Sequence, residues 1–135
     1  MPLHPAQFEA IKSTIQPVLA NRGCIAFAVL VGSQATGGAH AGSDWDIAIR
    51  WSLPMAGEEK LIETELLRQD LRHALQVQED QIDLIDIADA RLAMRALVAQ
   101  EGLELYISNE LAWVRFLLNT WAQLEDNLWR QQHAA

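Results

Sequence analysis

The stretch from Cys24 to Trp51 restricts the possible folds more than any other part of the chain. CIAFAVLV (residues 24–31) is short, partly β-branched and unbroken by polar residues, so it reads as a buried strand ending at Gly32. A glycine-rich loop follows, GSQATGGAHAGS (residues 32–43). Then DWDIAIRW (residues 44–51) alternates, with Asp44, Asp46, Ala48 and Arg50 on one face and Trp45, Ile47, Ile49 and Trp51 on the other. The second strand therefore has one acid-bearing face.

The flanking segments supply helices. Phe8, Ile11, Ile15 and Leu19 recur at helical spacing, and Asn21-Arg22-Gly23 is a stop signal. Ser52-Leu53-Pro54 breaks the second strand, and residues 57–78 form a helix predicted to align Leu61, Leu67, Leu71 and Leu75. After Glu79-Asp80, QIDLIDI reads as a third strand. Ala90 to Gln100 is a short helix closed by Gly102, with Asp89 as its N-cap, and Leu103 to Ile107 is briefly extended. Ser108-Asn109-Glu110 caps a last helix running to about Gln131. With no internal repeat and no linker, this order predicts one small α/β domain over residues 1–135, helices packed on a sheet.

Charge and composition narrow the partners. The net charge is −8, and the ten Lys and Arg residues are scattered rather than striped, which argues against direct nucleic-acid binding and leaves a metal-bridged anion or a basic protein. No run of 18 apolar residues occurs, and Met1-Pro2-Leu3-His4 lacks the start of a signal peptide, so a soluble, cytoplasmic, non-membrane protein is expected. Cys24 reads as a small buried hydrophobe, and His4, His40, His73 and His133 are too far apart in sequence for a zinc motif.

The loop and the acids belong to one piece of chemistry. A glycine-rich turn after a buried strand exposes backbone N–H groups to a phosphate, and a serine hydroxyl adds a donor; here these are Gly32 and Ser33. Asp44 and Asp46, two apart on a strand, project from one face about 6.6 Å apart along the backbone. Two carboxylates that close repel each other, and Arg50 is about 13 Å further along the strand. A hard divalent cation such as Mg²⁺ or Mn²⁺ is the better counter-charge. QIDLIDI offers a third acid. Asp83 is favoured over Asp86, which stands near the strand end where it can turn to solvent or cap the next helix. A phosphate cradle with three acids is what two-metal nucleotidyl transfer from a triphosphate requires.

Gly32-Ser33, ten residues, then Asp44-Trp45-Asp46 resembles the GS-x10-D-x-D signature of the polymerase-β-like nucleotidyltransferases, and the short acidic chain is similar to their minimal (MNT) members. The resemblance implies a polymerase-β-like α+β fold: a small mixed sheet flanked by helices, with a long C-terminal helix at about 109–131. It implies that Gly32 and Ser33 hold the triphosphate of ATP. Asp44, Asp46 and Asp83 would bind two Mg²⁺ ions, with Asp83 also the base for the incoming hydroxyl. Arg50 or Lys60 touching phosphate is the lesser reading beside a solvated surface role. The resemblance further implies an antitoxin that moves AMP from ATP to a tyrosine hydroxyl of a HEPN ribonuclease toxin and forms a complex with it. A purely steric antitoxin and a transferase acting on a small hydroxylated molecule are the alternatives.

The last helix bears on the partner. Leu111, Val114, Leu117, Leu118, Trp121, Leu124 and Leu128 form one broad stripe, with Trp113, Phe116 and Trp129 to its sides. Packing on the sheet and docking of a helical partner such as the HEPN toxin are the two readings.

Overall fold

The computed structural model describes residues 3–40 and 42–134. Met1 and Pro2, part of the N-terminal reading, and Ala41 of the loop lie outside the described residues, as does Ala135.

The first helix, α1 (Pro5–Arg22), starts where the His4 side chain accepts the Ala6 N–H and the Gln7 side chain returns to the His4 N–H. It ends at Gly23, which takes the left-handed conformation at φ 71°. Strand β1 (Ile25–Val31) is buried at every residue, as its unbroken apolar run requires. The glycine-rich loop is not all irregular: one helical turn, α2 (Ser33–Thr36), follows Gly32 directly, its Ala35 and Thr36 N–H groups bonded to the Gly32 carbonyl. Strand β2 (Trp45–Trp51) returns antiparallel to β1, so that Val31 faces Asp46.

Helix α3 (Gly57–Leu75) stops three residues short of the predicted end because Gln76 takes a left-handed conformation and its N–H bonds the Arg72 carbonyl. Leu67 and Leu71 are buried and Leu75 packs against the core, whereas Leu61, predicted to share their stripe, is 64 % exposed. Arg22 ties α1 to α3 through Asp70 at 2.7 Å. A single 3-10 turn (Glu79–Gln81) leads into β3 (Ile82–Asp86), which runs parallel to β2. Helix α4 (Leu92–Glu101) begins two residues later than expected. Its N-cap is Arg91, without a side-chain bond, and Asp89 instead pairs with Lys60 at 3.0 Å. Strand β4 (Leu103–Ile107) lies antiparallel on the other side of β1. The Asn109 side chain then caps α5 (Glu110–Gln132) by accepting the Ala112 N–H.

The sheet order is β3-β2-β1-β4, mixed as expected. Its two faces are both covered. Ile15 and Leu19 of α1 and Leu67 and Leu71 of α3 pack with Ile47 and Ile49 on one side. Val98 of α4 and Trp113 and Phe116 of α5 pack with Phe27, Val29, Val31 and Ala48 on the other. The inward face of α5 is thus the pair of aromatic residues placed at the sides of its stripe by sequence reasoning. Phe27 receives Trp113 edge-on at 4.9 Å between ring centroids, and Trp113 stacks on Phe116 at 5.6 Å. Leu111, Val114, Leu118, Trp121 and Leu128 are exposed instead.

Candidate active site

Three strand ends meet at one edge of the face that carries Ala48. β1 ends there at Val31, just before Gly32, and β2 and β3 each begin one residue before an aspartate, Asp46 and Asp83. The antiparallel pairing sets Val31 opposite Asp46, and the parallel pairing sets Asp46 opposite Asp83. Two aspartates separated by 36 intervening residues therefore project from adjacent strands on the same side, while Asp44 precedes β2 by one residue.

Their electrostatics follow from that crowding. Asp46 is held above the ordinary carboxylate range, first by burial, then by the charges of Asp83 and Asp44 and a hydrogen bond with Asp83. The backbone presses in from the other side. Gly32 sits at φ 76°, and a Cβ built there would overlap Asp46 Oδ2. Only glycine lets the end of β1 lie this close to the carboxylate. Among the described residues, the Ser33 hydroxyl has no hydrogen-bond partner of its own beside this edge.

The donor set fits a hard dication. Mg²⁺ is commonly held by one or two carboxylates and completed by phosphate oxygens and water rather than by an all-protein cage. Here the acids are hard-oxygen donors whose mutual repulsion already opposes ionisation at Asp46. Among the described residues, no three His, Cys, Asp or Glu side chains are drawn together into a closed metal cage. The site is an open carboxylate edge.

Asp86 belongs elsewhere. It closes β3 at the far end of the strand, forms an ion pair with Lys60, and accepts the Ala88 N–H at 2.9 Å. Lys60 and Arg50, weighed as phosphate contacts, line a hollow of about 480 Å³ at that far end together with Asp86 and Asp89. Neither meets the Asp44, Asp46 and Asp83 edge. The cation that does lie by it is Arg68, which sequence reasoning missed. Arg68 lines an acidic hollow of about 650 Å³ with Asp44 and Asp83, and is anchored by donating to the Ile82 carbonyl at 2.7 Å and to Glu65 at 3.3 Å. Its only sequence signal is its place next to Leu67 on α3, one residue off the buried stripe. Cys24, expected to be a buried hydrophobe, is only half-buried just before β1, where its thiol donates to Glu63 at 3.9 Å and partial burial pushes its pKa up.

A mixed four-stranded sheet with a Gly-Ser turn and paired strand acids defines the nucleotidyltransferase class of site. The chain belongs to the family described as polymerase beta, nucleotidyltransferase, which it matches over residues 13–111. No curated protein sequence matches it. Among solved structures, it resembles a toxin-antitoxin with AMP-PNP at 24 % identity and TM-score 0.70, covering 90 % of this chain and 93 % of that one. A tri-AMPylated Shewanella oneidensis HEPN toxin in complex with MNT antitoxin is similar at 21 % identity and TM-score 0.65, covering 92 % of each chain. The toxin-antitoxin MntA-HepT is similar at 20 % identity and TM-score 0.64, covering 92 % of this chain and 93 % of that one. At these identities the likeness is one of fold.

Proposed function

We propose that residues 1–135 form one cytoplasmic minimal nucleotidyltransferase domain that acts as an antitoxin. Its reaction is transfer of AMP from ATP to a tyrosine hydroxyl of a cognate HEPN ribonuclease toxin. The observation that carries the reading is the register of Asp46 against Asp83 beside Gly32, within a chain of the nucleotidyltransferase family. The AMP-PNP and tri-AMPylated toxin complexes among the structural neighbours support the nucleotide and the acceptor. Among the described residues no helix is long and apolar enough to cross a membrane.

In this reading the Gly32-Ser33 turn orients the triphosphate with backbone N–H groups and the Ser33 hydroxyl. The tyrosine oxygen bonds to the α-phosphorus as the bond to pyrophosphate breaks, and Asp83 accepts the hydroxyl proton. Asp44, Asp46 and Asp83 would hold two Mg²⁺ ions, which when bound supply the positive charge the triphosphate needs. Gly32 keeps Asp46 against the turn, so phosphate donors and carboxylates stay in fixed relation.

The test is the intact mass of the co-expressed HEPN protein after incubation with this protein, ATP and Mg²⁺. One or more AMP units added by the parent, and none by the Asp44→Ala/Asp46→Ala double variant, is the expected result. A HEPN protein that is bound and inhibited yet unchanged in mass overturns transfer and leaves steric blocking. AMP on a small alcohol and never on protein moves the acceptor to the small-molecule class.

A further inference from the structure

The exposed face of α5 has an order of its own. Leu111, Val114, Leu118, Trp121, Glu125 and Leu128 follow one another at spacings of three, four, three, four and three residues. That is the a/d repeat of a helix-pairing seam, interrupted by one acid. All five apolar members are exposed, Leu118 at 63 % and Leu111 at 57 %. The inward side of the same helix, Trp113, Phe116 and Thr120, is buried against the sheet. After Thr120 no residue of α5 is fully buried; the second half of a helix about 34 Å long meets α4, where Gln123 accepts from Arg95 and Leu124 is half-buried, and leaves its seam uncovered.

The seam is self-complementary in one direction only. Laid antiparallel on a second copy of itself, Leu111 meets Leu128, Val114 meets Glu125, and Leu118 meets Trp121, each contact occurring twice about a two-fold axis. Arg115 follows Val114 and falls on the same flank as the opposing Glu125. Both charged side chains are exposed, and among the described residues neither has an ion pair or hydrogen bond. The one acid in the seam thus receives a cation from the other copy. A parallel pairing in register would instead set Glu125 on Glu125, with like charges apposed.

We propose that this chain forms a homodimer through antiparallel pairing of α5, with Arg115 of each copy on Glu125 of the other. Each second half covers the exposed first half of its partner. The pairing stands apart from AMP transfer, and the Asp44→Ala/Asp46→Ala variant keeps it.

Light scattering and sedimentation of the purified full chain through a dilution series test it. The expected species has close to twice the 15.1 kDa of one chain. Leu118→Glu gives a monomer with an unchanged circular dichroism spectrum. Arg115→Glu and Glu125→Arg each weaken the dimer at least about tenfold, and the two together restore it, because the reversed pair is again opposite in sign. A chain that is monomeric at every concentration overturns the proposal. So does a dimer indifferent to Leu118→Glu, or a double reversal no better than the singles. A monomer whose α5 amides gain protection only on adding the HEPN protein also overturns it, and assigns the seam to that partner.

Discussion

Asp46 is under two opposing demands, and its substitution separates them. Its folded-state pKa is raised by burial, by Asp83 and by Asp44, so the protonated form is favoured in the fold relative to the unfolded chain. The stability this contributes is present in full below the unfolded carboxylate value and is lost as pH rises through the raised folded value. In metal-free protein at neutral pH, the ionised Asp46 therefore costs stability. Asp46→Asn should raise the Tm of metal-free protein at neutral pH, the gain fading toward acid, as thermal melts across a pH series will show. The same variant should lose AMP transfer by about 100-fold or more, since it removes a charge-stabilising group. Asp83 and Asp86 make a second contrast. Asp83→Asn should abolish transfer. Asp86→Asn, at the Lys60 end of β3, should leave transfer within about threefold while lowering stability by about 1–2 kcal/mol in denaturant titrations, because the ion pair with Lys60 is lost although the amide oxygen can still accept the Ala88 N–H. Gly32→Ala combines a left-handed backbone with a collision at Asp46, and about 1–3 kcal/mol of destabilisation together with loss of transfer is expected from the same two assays.

At the scale of elements, helical periodicity told that a face existed more readily than which face was used. Leu61 and Leu67 are six residues apart, about 240° around a helix, so Leu61 could not share the buried stripe of Leu67 and Leu71. That correction was legible in the spacing. The choice within α5 was not, because apolar residues occur on both its sides and either could meet a sheet. Phe27 on β1 decides it by making a T-shaped contact with Trp113 and a tilted one with Phe116. Phe116→Ala should accordingly cost about 3–5 kcal/mol, whereas Leu61→Ala should stay within about 0.5 kcal/mol, both read from urea midpoints.

For the molecule as a whole, the acids gather at one end of β2 and β3 while Lys60 and Arg50 lie at the other. Mg²⁺ with a non-hydrolysable ATP analogue should raise the parent's Tm and leave the Asp44→Asn/Asp46→Asn variant unmoved in the same scan, because ligand binding only to the folded state stabilises it by mass action. What the chain's letters determined was local: the buried run of β1, the Gly32-Ser33 turn, the alternation that puts Asp44 and Asp46 on one face, and the order of helices and strands. These depend on periods of two and 3.6 residues and on turn chemistry, all within a few residues of chain. The tertiary structure alone decided that Asp83, rather than Asp86, lies opposite Asp46, that Arg68 stands beside the acids, and that α5 turns its aromatic side inward. Each of those depends on which strand pairs with which, in what direction and register, and that is fixed by the packing of residues tens of positions apart.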